Sequence, residues 1–260
     1  MLTGAWTYVV ACAASVVIAT LSTPAGVSGA VLVLPFQVAV LGTPSPAVTP
    51  TNLLYNVLAT PGALYRYWRQ GQRGGRLTGT LIGGTIPGVI AGSVVRVELL
   101  PGARPFEVVI AAVLVPLGAW LLFSRPAPPH PAAHAIPSAA VVTMAAVVGC
   151  IGGIYGIGGG SILAPILIGS GRPASEVAPA ALASTLVTSV AGVVTFLVLA
   201  SEHHGSVAPE WGIGMALGLG GLVGGYAGAR IQPRLPENII RRSLGVLVLA
   251  IGVRYGWLAV

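Results

Sequence analysis

The apolar sequence of this chain is interrupted at Gly149-Cys-Ile-Gly-Gly-Ile-Tyr-Gly-Ile-Gly-Gly-Gly-Ser-Ile-Leu-Ala-Pro165, a glycine-rich stretch. Uncharged, mostly apolar segments flank it, residues 136–148 before it and 162–168 after it. Its glycine spacing differs from the dinucleotide-binding pattern and no lysine follows, which excludes the common phosphate-binding loops. With such flanks, the glycines are expected at membrane depth. There they break a helix and let backbone N–H groups face a bound molecule.

A second interruption of the same design occurs earlier in the chain, at Thr23–Pro35. A shift of 130 positions places Gly26 on Gly156, and the same shift places Gly29 on Gly159. Broken helices at corresponding places in two halves of a membrane protein are typical of a transporter binding site. The pair of breaks therefore predicts a transporter.

The composition indicates an integral membrane protein. Of the 260 residues 55% are hydrophobic and 7% are charged, whereas about a quarter of the residues in a soluble domain are charged. The 13 basic residues are all arginines spread over short segments, so the lipid bilayer is the expected partner and nucleic acid is not. The sequence has no metal-ligand spacing and no nucleophile–base constellation. We therefore expect no metal, no cofactor and no enzymatic activity.

Apolar segments separated by Gly, Pro and Arg predict an all-α fold. The first, Trp6–Leu41, would be about 54 Å long as one helix, against a hydrocarbon core of about 30 Å. It must therefore fold back, as a re-entrant hairpin or as two short spans, and residues 136–168 must do the same. The ten predicted segments are 5–22, 27–41, 46–65, 77–96, 105–123, 136–153, 158–169, 177–200, 208–229 and 238–258.

These segments divide the chain into two repeats. Residues 1–124 form the N-terminal repeat, residues 125–135 a Pro-rich cytoplasmic linker, and residues 136–260 the C-terminal repeat. Each repeat is predicted to contain a broken or re-entrant helical hairpin followed by three transmembrane helices. Each repeat then crosses the membrane an odd number of times, so the two have inverted topology.

The arginines support the same topology independently. The positive-inside rule places the Arg-rich segment 66–76 in the cytoplasm. Arg125, Arg172 and the Arg-rich segment 230–242 then follow on the same side. Residues 201–210 and both termini are predicted to lie on the outer side of the cell inner membrane, opposite the cytoplasm.

Two further alignments support the repeat. Thr51-Asn52-Leu53 lies on Ser184-Thr185-Leu186, and Gly84-x-x-x-Gly88-x-x-Ala91-Gly92 lies on Gly220-x-x-x-Gly224-x-x-Ala227-Gly228. Small residues four apart on one helix face allow close helix contact. We expect these glycines to pack helices together.

The predicted site binds an anion through backbone N–H groups. A helix N-terminus presents free N–H groups and about half a positive charge. Two such ends, predicted to start at about Val27 and Ile157, would hold an anion near the midplane without a buried Arg or Lys. For the hydroxyl and amide side chains, a hydrogen bond to their own helix is the alternative role. Tyr155 is either a gate or stacking group, or a packing residue. The predicted substrate-binding residues are Gly26, Ser28, Gly29, Thr51, Asn52, Tyr155, Gly156, Gly158, Gly159, Gly160, Ser161, Ser184 and Thr185.

At these residues the chain resembles the TauE/SafE sulfite exporters, also called the toluene-sulfonate uptake permease family. The resemblance covers nearly the whole chain. It is carried by Gly156-Ile-Gly-Gly-Gly-Ser161 with Pro165, by Ala183-Ser-Thr-Leu186, and by the Gly-rich later helices. In the first half, Ser28-Gly29-Ala30 and Thr51-Asn52 depart from the family pattern. The resemblance implies transport of small sulfur-containing or organic anions across the inner membrane.

The predicted function is therefore transport of a small anion, such as sulfite, a sulfonate or sulfoacetate. The alternative is a non-transporting assembly factor or scaffold for a redox enzyme, which has no need of two matched breaks at membrane depth. No carboxylate or His lies in the middle of a predicted span, which favours potential-driven movement of the anion. Coupling through backbone-bound ions, the direction of transport and the oligomeric state stay open, and a homo-oligomer is compatible with the sequence.

Overall fold

The structure is a computed structural model, and it describes residues 4–100, 102–123, 138–202 and 207–259. All regular secondary structure in these ranges is helical. The predicted linker 125–135 lies outside the described residues. The ten α-helices in the described ranges correspond to the ten predicted segments: α1 Ala5–Ser22, α2 Ala30–Phe36, α3 Val48–Arg69, α4 Gly75–Glu98, α5 Ala103–Phe123, α6 Ser138–Tyr155, α7 Gly160–Gly169, α8 Ala174–Glu202, α9 Trp211–Ile231 and α10 Glu237–Ala259.

Helix lengths separate the spanning helices from the shorter arms. Four of the described helical segments are long and apolar enough to cross a membrane, namely Ala5–Ala25, Gly75–Glu98, Ala174–Glu202 and Trp211–Arg234. Helix α2 continues through a π-helical turn to Leu41, so its helical length is about 18 Å, and α7 is about 15 Å long. Neither arm can cross a hydrocarbon core of about 30 Å by itself. The second arm of each hairpin is therefore a half-length helix.

The helix contacts follow one pattern in both halves. Helix α1 packs on α9, and its counterpart α6 packs on α4, the counterpart of α9. In the same way α3 packs on α9 and α8 packs on α4, while α3 contacts α8 and α5 contacts α10. Exchanging the two halves therefore leaves these helix pairings unchanged. This agrees with two structural repeats, and their inverted orientation stays a prediction.

Glycines bring the paired helices into close contact, as the sequence predicted. A Cβ added to Gly88 would lie closer to the Ala146 carbonyl oxygen than the 3.0 Å that real Cβ atoms keep, and one on Gly224 would meet the Val16 carbonyl oxygen in the same way. The neighbouring pairs keep the register: Gly84 with Val142, Gly92 with Cys150, Gly220 with Cys12 and Gly228 with Thr20. Each of these three pairs in α4–α6 thus has its counterpart in α9–α1.

Candidate functional site

The two helix breaks are tight turns that require glycine. After α1, a short 3-10 turn, Thr23–Ala25, ends at Gly26, where φ is +73°. In the second break Gly156 and Gly158 have φ values of +78° and +68°. Only glycine adopts this left-handed region without strain. These residues hold the chain out of the helical conformation for longer than predicted, so α2 and α7 begin three residues after Val27 and Ile157.

The two breaks contact each other in the protein interior. The hydroxyl oxygens of Ser28 and Ser161 are 2.8 Å apart, and the Ser28 N–H donates to the Ser161 hydroxyl at 3.4 Å. Both serines are buried, with exposed fractions of 4% and 1%. The starts of α2 and α7 therefore lie side by side, although they belong to different halves of the chain.

Predicted residues on α8 lie beside this contact. The Thr185 hydroxyl is 3.4 Å from that of Ser161, so it extends the polar cluster. The Ser184 hydroxyl bonds the Thr85 hydroxyl at 2.9 Å and thereby joins α8 to α4. Thr185 and Ser184 were both predicted to bind the substrate, but in the structure they make different contacts.

Two predicted residues on α3 make hydrogen bonds that hold helices in place. The Thr51 hydroxyl donates to the Ala47 carbonyl at 2.7 Å and accepts from the Glu210 N–H at 2.8 Å. The Asn52 amide donates to the Ala30 carbonyl at 3.0 Å, in the first residue of α2, and accepts from Gln37 at 3.1 Å. Asn52 thus braces the start of α2 against α3.

Tyr155 packs between the two halves at the end of α6. Its ring is buried and lies edge-on to that of Tyr255, with centroids 6.3 Å apart. Its hydroxyl donates to the Val31 carbonyl at 3.1 Å. In this conformation Tyr155 therefore links the second break to α2.

Sequence reasoning did not select Asn56 and Ser189 for the site. Both are fully buried, and they correspond under the shift that aligns Thr51 with Ser184. The Asn56 amide donates to the Gly156 carbonyl at 3.5 Å, and a Cβ on Gly158 would lie 3.0 Å from the Ser189 hydroxyl oxygen. The Asn56 Oδ1 and Ser189 Oγ atoms have no hydrogen-bond partner among the described residues. Their spacing, one helical turn after the predicted polar pair, was the signal in the sequence.

A buried arginine also approaches the second break, contrary to the expectation of a site without one. Arg96 is fully buried at the end of α4. Its guanidinium donates to the Thr49 hydroxyl at 3.2 Å, to the Ser45 hydroxyl and to the Leu100 carbonyl. Thr49 in turn donates to the Ile154 carbonyl at 3.3 Å. A cation therefore lies two hydrogen bonds from the second break. In the sequence, the only indication of it is a single arginine within a valine-rich segment.

The glycines that start the two helices face packed side chains. A Cβ on Gly29 would overlap the Tyr55 hydroxyl, and one on Gly159 would lie 2.5 Å from the Thr85 side chain. In this conformation neither position faces space for an anion, and their role in binding stays a prediction. A cavity of about 10 Å³ lies beside Ser28 and Gly29, which is room for one water molecule at most. The structure is closed around the predicted site.

The tips of both breaks pack against the beginnings of helices from the opposite half. A Cβ on Gly26 would lie 2.7 Å from the Cα of Ala178, near the start of α8. A Cβ on Gly156 would overlap the Thr49 carbonyl, at the start of α3. Each tip thus fills the space beside the other half's helix end.

Comparison with known proteins gives one family and two relatives. Residues 11–255 match the family described as Sulfite exporter TauE/SafE. Two proteins of Xylella fastidiosa, from strains 9a5c and Temecula1 / ATCC 700964, are each 26% identical over 245 residues, which is 89% of this chain and 88% of the relative. Both are named "Probable membrane transporter protein". No solved structure matches the chain.

Proposed function

Because the chain belongs to the sulfite exporter TauE/SafE family, we propose that it moves a small sulfur-containing or organic anion, such as sulfite, a sulfonate or sulfoacetate, across the inner membrane. Family membership and the apolar helices make it a multi-pass membrane transporter and not an enzyme. The anion, the binding mode and the membrane are the parts that we add.

The observation that carries the binding mode is the contact between the two breaks. The Ser28 and Ser161 hydroxyls meet at 2.8 Å beside the starts of α2 and α7. Both helices are half-length arms, so a start near the middle of the bilayer places their far ends near its faces. Their backbone N–H groups and the neighbouring hydroxyls supply the donors for an oxyanion.

Binding requires the two breaks to separate, because the space beside Ser28 and Gly29 holds one water molecule at most. We assign this structure to a closed state of the transport cycle. In the predicted topology the first tip, at Gly26, blocks the path from the cytoplasm, and the second tip, at Gly156, blocks the outer path. Withdrawal of one tip at a time then gives alternating access to the anion.

The charge of the site predicts how transport is driven. Its donors are hydroxyls, amides and backbone N–H groups, none of which titrates near pH 7. An anion that moves alone carries net charge, and the membrane potential acts on it with about 2.3 kcal/mol per charge per 100 mV. Since the cell interior is negative, we propose that the anion moves outward.

The test is flux through the purified full chain in proteoliposomes. Uptake of sulfite, methanesulfonate and thiosulfate is measured against protein-free liposomes. Saturable uptake of at least one of them supports the proposal. No uptake of any, by protein that is folded and inserted in the bilayer, would favour the assembly-factor alternative.

A further inference from the structure

A basic cleft opens away from the two breaks. Its volume is about 420 Å³. It is bounded by the first part of α4 with the residues before it, the first part of α8 with the residues before it, and the first part of α6. We call this the basic cleft. Its lining residues are Arg73, Gly74, Gly75, Arg76, Leu77, Thr80, Val141, Arg172 and Glu176. The predicted topology places the beginnings of α4, α6 and α8 on the cytoplasmic side.

The charge of the basic cleft is not neutralised from within. Arg172 pairs with Glu176 at 3.3 Å, and this pair is partly exposed. No carboxylate among the described residues lies within salt-bridge distance of Arg73 or Arg76. Three guanidinium groups against one carboxylate leave two positive charges at the rim of one concave surface.

The floor of the basic cleft is apolar. Leu77 and Val141 line it with exposed fractions of 8% and 3%. The Thr80 hydroxyl, also in the lining, donates to its own helix at the Arg76 carbonyl, at 3.2 Å. A cleft of this volume is of the size that takes an organic ligand, and a bare inorganic oxyanion would fill only a small part of it.

We propose that the basic cleft binds an oxyanion group carried on an apolar body, with Arg73 and Arg76 holding the oxyanion and Leu77 and Val141 contacting the body. The oxyanion is a sulfonate, a sulfate ester or a phosphate. It comes from a free amphiphilic anion or from the headgroup of an anionic lipid, since guanidinium groups recognise both in the same way. The cleft is separate from the two breaks, so this proposal stands whether or not the breaks bind the transported anion.

The experiment uses the full chain in phosphatidylcholine nanodiscs with two probes. Binding of 1-octanesulfonate is measured by calorimetric titration, with inorganic sulfate as the headgroup alone. Retention of phosphatidylglycerol from mixed nanodiscs is measured by native mass spectrometry. The variants are Arg73→Gln with Arg76→Gln, which removes the cations, and Thr80→Phe, which keeps them but fills the cleft. Arg230→Gln is the matched control, because it removes an exposed arginine outside the cleft.

We expect the double arginine variant and Thr80→Phe each to weaken binding of one probe by about tenfold, and Arg230→Gln to leave it unchanged. A loss confined to 1-octanesulfonate identifies a free anion, and a loss confined to phosphatidylglycerol identifies a lipid. Sulfate alone should bind more weakly than 1-octanesulfonate. The proposal would be overturned if the cleft variants weakened the binding of neither probe more than Arg230→Gln does. It would also be overturned if Arg73→Gln with Arg76→Gln weakened binding and Thr80→Phe did not, because that result indicates attraction by diffuse surface charge.

Discussion

Substitution of Gly88 by alanine tests the register of the helix pair α4–α6. The added Cβ would lie closer than 3.0 Å to the Ala146 carbonyl oxygen, whereas ordinary contact begins at 3.4 Å. The two backbones would therefore have to part by at least 0.4 Å, the difference between these limits. Overpacking of a well-packed contact costs about 1–3 kcal/mol, so we expect Gly88→Ala to destabilise the protein by that amount.

Gly83 on the same helix is the matched control. It is exposed, and a Cβ there meets nothing within 4 Å. Alanine is the better helix former by about 0.5–1 kcal/mol, so Gly83→Ala should be neutral or stabilising. One extra methyl group in one helix should thus have opposite effects at positions five residues apart. The free energy of unfolding is measured by denaturant titration in mixed micelles.

The counterpart Gly224→Ala extends this test to the repeat. A Cβ there would overlap the Val16 carbonyl oxygen, so we expect a cost similar to that of Gly88→Ala. Equal stability of Gly88→Ala and Gly83→Ala would refute the close contact of α4 with α6. A large cost at Gly88 with none at Gly224 would refute the equivalence of the two halves.

Three further predictions concern topology, coupling and the contact between the breaks. In a chain without Cys12 and Cys150, Ser206→Cys should react with an impermeant thiol reagent in intact cells and Ser124→Cys should not, and the reverse would overturn the topology; both serines lie outside the described residues. In proteoliposomes, an imposed potassium-diffusion potential should speed anion flux toward the positive side, and a pH gradient at zero potential should have little effect. Flux that follows the pH gradient alone would instead require a proton carrier, with Glu107 or Glu210 as candidates. Ser28→Ala and Ser161→Ala should show a coupling free energy of about 1 kcal/mol in a double-mutant cycle of unfolding, since their hydroxyls meet at 2.8 Å, and simple additivity would contradict the contact.

The sequence was sufficient for the order of helices because strong physical limits apply to it. As one helix, Trp6–Leu41 would be longer than the bilayer is thick, so it was predicted to fold back, and the structure has a break within it. Glycines four residues apart predicted close helix contacts, and the carbonyls that oppose Gly88 and Gly224 confirm them. These features depend on residues near one another in the chain, which is why pattern alone identified them.

Other features depended on contacts between distant parts of the chain. Arg96 is buried with Ser45 and Thr49 as hydrogen-bond partners. The residues next to Arg96 in the sequence do not indicate these distant partners. The side chains of Tyr55 and Thr85 fill the space over Gly29 and Gly159. Helices α2 and α7 begin three residues later than predicted, after turns that contain left-handed glycines.

The absence of Asn56 from the predicted site has a similar cause. Its amide contacts the Gly156 carbonyl at 3.5 Å, across 100 positions of sequence. The thirteen predicted site residues therefore fall into groups that the sequence could not separate. Ser28, Ser161 and Thr185 form the contact between the breaks, while Thr51, Asn52 and Ser184 hold helices together.

The most direct test of the central claim is a reversible link between the two breaks. In a chain without Cys12 and Cys150, Ser28→Cys and Ser161→Cys place two thiols where hydroxyl oxygens lie 2.8 Å apart, so a further approach of less than about 1 Å allows a disulfide bond of roughly 2.05 Å. Sulfite flux in proteoliposomes is measured after oxidation and again after reduction, with each single cysteine variant as the control and mass spectrometry to verify the bond. Our account predicts flux that stops on oxidation and returns on reduction, because the anion passes only when the breaks separate. Undiminished flux through fully cross-linked protein would contradict it.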